Sequence, residues 1–281
     1  MHFLANKPHI VFQESVKSGA WRQFVGIETG GWNVSLESSR IACTSCPLLD
    51  CSGLIAPDAA SLAAIENFKV GEVRLERGGQ VMIQGTRSAH VYTVVSGVLI
   101  RYRLMDDGRR QIINFSFPGD LVGLQATLEE PMTHAVEALT DARLCAFPRD
   151  KFRSFIGRFP NLSYDLVWLA AKEEAALEEH LVALGQRNAR ERIAYLALFL
   201  VQRALNTGLT EGRHRLVLSV TQSQIADMLG LSLVHTNRSL QALRREDLVR
   251  WSLTTIEIPD MEAVRKFVQF DRNLLGNRPF I

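Results

Sequence analysis

The chain has 281 residues, with 32 Lys and Arg against 30 Asp and Glu, 47% apolar residues and 22% charged ones. That length is room for about two domains, and the composition excludes a wholly disordered chain, a collagen and a coiled-coil rod. No apolar run approaches the ~18 residues of a membrane span, residues 1–30 hold no secretory leader, and four cysteines are too few for a disulfide scaffold, so the expectation is a cytoplasmic protein whose thiols serve metal or redox chemistry.

Residues 1–40 mix Gly, Ser, polar and isolated aromatic residues without a period, which predicts a flexible extension. Asp58 to Phe68 reads as a short helix, with Leu62, Ile65 and Phe68 at helical spacing. From Val70 to Phe147, short strand-like runs alternate with glycine-marked turns. Asp107-Gly108 is a hairpin signal, and six or more strands at this spacing predict an antiparallel sandwich or jelly roll. After Pro160 the period becomes helical. Leu162, Leu166, Leu169, Ala170, Leu177, Leu181 and Leu184 form one apolar stripe, and Ala170, Leu177 and Leu184 stand seven apart. A helix bridging two domains has little core to pack against, so the stripe is expected to be a dimer seam. A second helix is expected from Ala189 to Leu205, with the apolar run Ile193 to Val201 buried.

Thr221-Gln-Ser-Gln224 is a capping box at the start of a short helix. Gly230-Leu231 makes a tight turn, and Ser232 caps a following helix that runs to about Arg245. Two short helices joined by a glycine turn fit a helix-turn-helix. Leu233, Thr236, Leu240 and Leu243 fall on one face of the second helix. Val234, His235, Arg238, Gln241 and Arg245 fall on the other, a set suited to base edges and phosphates. Between Gly185 and Ile258, ten Arg against six acids leave a net charge of +4, the footprint expected for a double-stranded DNA partner. Ile256-Glu-Ile258 is expected to close a small β wing.

The order of sandwich, long helix and helix-turn-helix resembles the Crp/Fnr transcription regulators. The residues that carry the resemblance are Gly97 after Val91-Tyr-Thr-Val-Val, Phe117-Pro-Gly-Asp-Leu-Val-Gly123, Pro160-Asn-Leu162, Asn188-Ala-Arg-Glu-Arg192 and Leu229-Gly-Leu-Ser232. It implies an α+β chain: a β jelly-roll sensor domain over 41–160, a dimerisation helix over 161–187 and a winged helix-turn-helix domain over 188–281. It also implies a homodimer on a two-fold symmetric site whose half-sites lie about one helical turn apart. RNA polymerase is the further partner expected of an activator, and no enzymatic constellation competes. The family's recognition helix implies DNA contacts from Thr221, Ser232, Val234, His235, Asn237, Arg238, Gln241 and Arg245. In the Fnr branch it reads Glu, then Ser-Arg; here Val234 and Asn237-Arg238 hold those positions, so the arginine carries over and the carboxylate does not. Members that bind cyclic AMP use an Arg-Ser pair and a Glu where this chain has Thr133-His134 and Leu124, so no cyclic nucleotide is expected.

All four cysteines, Cys43, Cys46, Cys51 and Cys145, bear on the signal. The first three form C-x2-C-x4-C in a loop, and the fourth lies late in the sandwich. Four thiols suit an iron–sulfur cluster or zinc, and a thiol–disulfide switch or incidental thiols remain alternatives. The pattern resembles the Fnr branch, whose 4Fe–4S cluster uses three N-terminal cysteines and one in this late segment, with one residue more between the second and third. That resemblance implies sensing of oxygen or redox state. A small organic effector in the sandwich, and a cluster-bearing electron-transfer protein or enzyme, are the competing readings. In Fnr an acidic residue of the dimer helix stands where this chain has Leu177, which implies a dimer that persists without its cluster.

Overall fold

The structure, a computed structural model, describes residues 36–37, 41–125, 131–212, 214–270 and 277–281. In chain order it opens with β1 (Leu36–Glu37), two 3-10 turns (Cys43–Ser45 and Pro47–Asp50), β2 (Leu54–Ile55) and α1 (Ala59–Phe68). The sandwich strands follow: β3 (Gly71–Leu75), β4 (Gln80–Met82), β5 (His90–Ser96), β6 (Leu99–Leu104), β7 (Arg110–Ser116), β8 (Leu121–Val122), β9 (Ala135–Ala138) and β10 (Ala142–Pro148). They form two sheets, β1-β3-β10-β5-β8 and β4-β9-β6-β7. Inward residues such as Val73, Val94, Leu99, Val136 and Leu144 fill the space between them. Gly97 turns β5 into β6 at φ +85°, where a Cβ would lie 2.3 Å from the Asp141 carbonyl oxygen, so only glycine fits. Residues 1–40 were expected to be flexible. Within that range Leu36–Glu37 instead pairs with Val73 and Glu72, and the rest lies outside the described residues.

Next come α2 (Arg149–Ile156), α3 (Pro160–Gln186) and α4 (Ala189–Asn206). Asn188 and Glu191 form a capping box that starts α4 two residues after α3 ends. Every residue of α4 from Ile193 to Ala204 is buried. The reason is position: one apolar cluster runs from Ile100, Ile112, Phe115 and Phe117 of the sandwich, through α4, to Leu229, Leu243 and Ile256 beyond it. A polar thread crosses the same junction. His180 of α3 meets the Tyr195 hydroxyl at 2.6 Å and the Asn114 amide oxygen at 3.2 Å, and Arg101 of β6 donates to Glu173 of α3 at 2.6 Å.

The last part holds β11 (Thr210–Glu211), β12 (Arg215–Val217), α5 (Gln222–Leu229), α6 (Leu233–Arg245), β13 (Arg250–Trp251), β14 (Thr255–Glu257) and α7 (Met261–Val268). Its sheet, β11-β12-β14-β13, includes the expected wing. α5 docks on the sandwich: Arg110 of β7 donates to Asp227 at 3.1 Å, and Gln111 donates to the Met228 carbonyl at 3.0 Å. The chain then returns to the sandwich, where β15 (Arg278–Pro279) runs parallel to β2, with Arg278 opposite Leu54. Among the described residues no helix is long and apolar enough to cross a membrane.

Candidate functional site

The α5–α6 pair is built by its caps. The Thr221 hydroxyl accepts from the Gln224 amide at 3.2 Å while the Gln224 side chain accepts from the Thr221 amide at 2.9 Å. Gly230 ends α5 in the left-handed region at φ +62°. The Ser232 hydroxyl then accepts from the His235 amide at 3.2 Å and starts α6. Thr236 and Leu243 face the core with no exposure at all. Leu233, expected on that inner face, is instead 55% exposed beside Val234 at 59%, because the first turn of α6 projects past the body of the domain. His235, Arg238, Gln241 and Arg245 are exposed as well, and Asn237 is tied to both Gln222 (3.3 Å) and Gln241 (2.8 Å). Thr221 is half-buried and fixed in its cap, whereas Ser232 remains exposed. The arrangement is one protruding ridge of donors beside two adjacent apolar side chains.

The α3 stripe divides into two. Leu162, Leu166 and Leu169 turn into their own protomer, together with His180 and Ala183. Tyr164, Val167 and Leu181 point outward at 67–71% exposure, and Ala170 is exposed with them. Leu177 and Leu184 sit half-buried between the two sets. The expected single face is therefore corrected. A period of 3.6 carries such a long row around the helix, and Tyr164 and Val167, which the sequence reading did not name, belong to the outward set.

The cysteine loop lies on the outer face of the β3-β10-β5 sheet. Cys145 of β10 pairs in register with Glu72 of β3 and with Thr93 of β5. Cross-strand partners share a face, so these three side chains point the same way. Buried Lys69 and Glu72 make a 3.1 Å ion pair. Lys69 donates to the Ile41 carbonyl at 2.6 Å and Glu72 accepts from the Ile41 amide at 2.8 Å, which anchors the loop two residues before Cys43. Burial pushes all four thiols up, Cys145 to about 12. The Lys69 ammonium acts in the opposite direction at Cys43, Cys46 and Cys145, and Cys46 acts electrostatically on each of the other three. Cys43 and Cys145 meet in one packing cluster, and Cys46 and Cys51 follow Cys43 within eight residues of chain. They are not gathered into a donor set: among the described residues no three His, Cys, Asp or Glu side chains stand close enough to hold a metal ion. Cys51 shows why. Its thiol donates to the carbonyls of Pro47 (3.7 Å) and Thr207 (3.5 Å), and Thr207 follows directly on α4. As placed, these residues do not fit a metal or cluster, and holding one requires the loop to rearrange.

Comparison with known proteins agrees with this architecture. Residues 72–159 match the cyclic nucleotide-binding domain model and residues 191–267 match the Crp-like helix-turn-helix domain model. The transcriptional activator protein FnrL of Cereibacter sphaeroides is 30% identical over 74% of this chain and 83% of its own length. The anaerobic regulatory protein of Haemophilus influenzae is 24% identical over 86% of this chain and 94% of its own. The solved structure of FixK2 from Bradyrhizobium japonicum superposes with a TM-score of 0.61 at 26% identity, over 69% of this chain and 95% of that one. The chain belongs to the Crp/Fnr family. It is a DNA-binding transcription regulator, and its relatives are regulators rather than enzymes. The match of this Crp/Fnr sandwich to a cyclic nucleotide-binding domain shows the fold. At the positions flagged above, Leu124 packs against the cluster of Cys43 and Phe147, and His134 is buried, its pKa pulled down to about 4 by burial and by Arg101 and Arg103.

Sequence reading missed the side chains that hold this Crp/Fnr chain together across its halves. Asp120, in the Phe117-Pro-Gly-Asp turn, accepts from Arg203 of α4 at 2.5 and 2.6 Å and pairs with Arg278 of β15 at 2.8 Å. Burial pushes its carboxyl up, but the two guanidiniums outweigh that and hold it below the usual carboxylate range. The signal in the sequence was the Asp of that turn. Nothing local marks Arg203 or Arg278 as its partners, 83 and 158 residues away along the chain.

Proposed function

We propose that this regulator responds to oxygen or redox state and binds a palindromic operator as a homodimer. The observation that carries the DNA-reading half of the proposal is the exposed ridge of α6. In this reading Arg238 forks onto a guanine, Val234 meets a thymine methyl, His235, Asn237 and Gln241 add base or phosphate contacts, and Arg245 meets phosphate. Ser232 and the cap of Thr221 hold the helix end near the backbone. The outward face of α3, with Ala170, Leu177 and Leu184 along its edge, supplies the dimer seam and sets the spacing of the two α6 helices. Operator binding is a cytoplasmic function, and activation brings the dimer to RNA polymerase.

The cysteine loop is the sensing element in this reading. Four neighbouring thiols with no other cysteine in the chain, and a relative named for anaerobic regulation, support it. An iron–sulfur cluster is the form that the pattern favours, with zinc as the alternative. The test is operator affinity of full-length protein purified without air, measured before and after exposure to oxygen, beside its iron, sulfide and zinc content. The expected result is a change in affinity with oxygen in the native protein and none in Cys46→Ser. Iron and sulfide identify a cluster, and zinc alone selects the alternative. Equal affinity under both gases in the native protein would remove redox sensing while leaving DNA binding in place.

A further inference from the structure

The cysteine loop touches more than the sandwich. Beyond the Cys51 thiol on the Thr207 carbonyl, the Gly53 amide donates to the Asn206 carbonyl at 3.0 Å, and the Arg278 amide donates to the Gly53 carbonyl at 3.0 Å. Gly53 is pressed so closely on the end of α4 that an added Cβ would lie 2.4–2.6 Å from Asn206 backbone and side-chain atoms. From the other side, residues 277–281 form a strap. β15 pairs with β2, the Thr93 hydroxyl donates to the Ile281 carbonyl, and Ile281 is buried in one cluster with Cys43, Val91 and Phe147, against which Cys145 also packs. Leu54 of β2 rests on Gly119 of the turn that carries Asp120, so the loop, the strap and Arg203 of α4 converge on one point.

We propose that the strap 277–281 and the end of α4 latch the cysteine loop to the DNA-binding half, and that gathering the thiols releases this latch. The proposal rests on the reading of the loop as the sensing element. Its core is the mismatch between spacing and placement. The cysteines are spaced to share a ligand, yet Cys51 is held on Thr207 and the loop on Asn206 and Arg278. Drawing Cys51 toward Cys43, Cys46 and Cys145 removes one latch contact and strains the Gly53 contacts two residues on. The signal then reaches α4, and through it α6, without passing along α3. Because α4 packs on the recognition unit (Arg192 donates to the Leu229 carbonyl at 3.1 Å), a freed α4 can reposition α5 and α6. Coupling of this kind is reciprocal, so breaking the latch also frees the loop.

The test is amide hydrogen exchange on the full-length reduced chain, with cadmium ion as a soft thiol-gathering probe. Gly53→Ala wedges the loop from α4 without touching a cysteine, and the Gly53-site and Arg278 amides and the strap should then exchange at least about tenfold faster. Thr93→Val, which removes the Thr93 tie and leaves the Arg278–Asp120 pair in place, should speed exchange of the strap and loop in the same direction and serves if Gly53→Ala does not fold. In the native chain cadmium should speed exchange at the strap and at 203–207, and in Gly53→Ala it should add little. Unchanged exchange in both variants overturns the latch. So does cadmium uptake, seen as thiolate absorption, with the strap still protected. Failure to take up cadmium counts against the loop as a sensing element, while the variant arms still decide the latch.

Discussion

The α5–α6 unit and the cysteine loop, which the proposal makes the sensing element, are built in opposite ways. α6 presents its donors to solvent, and caps three residues apart build it, so its reading face is complete within a short stretch of chain. The cysteine loop keeps Cys43 buried and its other thiols half-buried, and contacts that fix it reach 28 and 156 residues along the chain, from Ile41 to Lys69 and from Cys51 to Thr207. A surface that reads DNA works by being left free. A surface that reports a chemical state works by being coupled, because only a group already in contact with the rest of the molecule moves it.

The contrast breaks most severely at Asp120, where one buried carboxylate of the coupled side meets two arginines. Asp120→Ala leaves the guanidiniums of Arg203 and Arg278 buried and unpaired, at a cost of about 3–5 kcal/mol. Urea denaturation should show that loss, and stability within about 1 kcal/mol of native would mean that the junction relaxes around the gap. The pH dependence has a definite sign. The folded carboxyl sits below its ordinary value, so its contribution is complete above the unfolded pKa of about 3.9 and is lost as pH falls through the lower folded value. The native protein should therefore lose stability below about pH 4 more steeply than Asp120→Ala.

On α3 the exposed side can be tested alone. Leu181 is 70% exposed in the protomer, whereas Leu177 is half-buried and serves both sides. If the outward face is the seam, Leu181→Asp weakens the dimer by about 3 kcal/mol over its two copies, from lost apolar burial alone. Sedimentation velocity should then show monomer at concentrations where the native chain is dimeric. A persistent dimer, with the variant folded, would move the interface off this face.

How much was legible beforehand follows the same divide. The sandwich, the long helix, the wing and the α5–α6 unit were readable because Asp107-Gly108, Pro160, Thr221 and Gly230 each act on neighbours a few residues away. The exposed donors of α6 followed from helical period, except that Leu233 turned outward where the helix outruns its support. The nearness of Cys43, Cys46 and Cys51 was readable from spacing, whereas Cys145 was added to them only by the resemblance to the Fnr branch. The ungathered placement of the thiols was not readable, because it depends on Thr207, Asn206 and Arg278, whose nearness no local pattern announces. The split of the α3 stripe was missed for a third reason: a periodic row shows which residues align but not which side of the row meets its own protomer.

The smallest effects test the free side, residue by residue. Among the described residues neither the Arg238 nor the Arg245 side chain makes a hydrogen bond or an ion pair, so replacing either should leave stability near native. Their losses on DNA should differ. Arg238 lies one turn after Val234, on the ridge proposed to enter a groove, and a guanidinium forked onto guanine O6 and N7 discriminates against other bases. Arg238→Ala should cost about 1–3 kcal/mol per half-site and flatten preference at one base pair. Arg245, at the last residue of α6, suits a phosphate. Arg245→Ala should weaken all sequences alike and reduce the salt dependence by about one counterion per protomer. Anisotropy titrations over a panel of operator variants at two salt concentrations separate the two outcomes. A uniform loss for Arg238→Ala would make it a backbone contact and pass base reading to His235, Asn237 or Gln241, which share the same ridge.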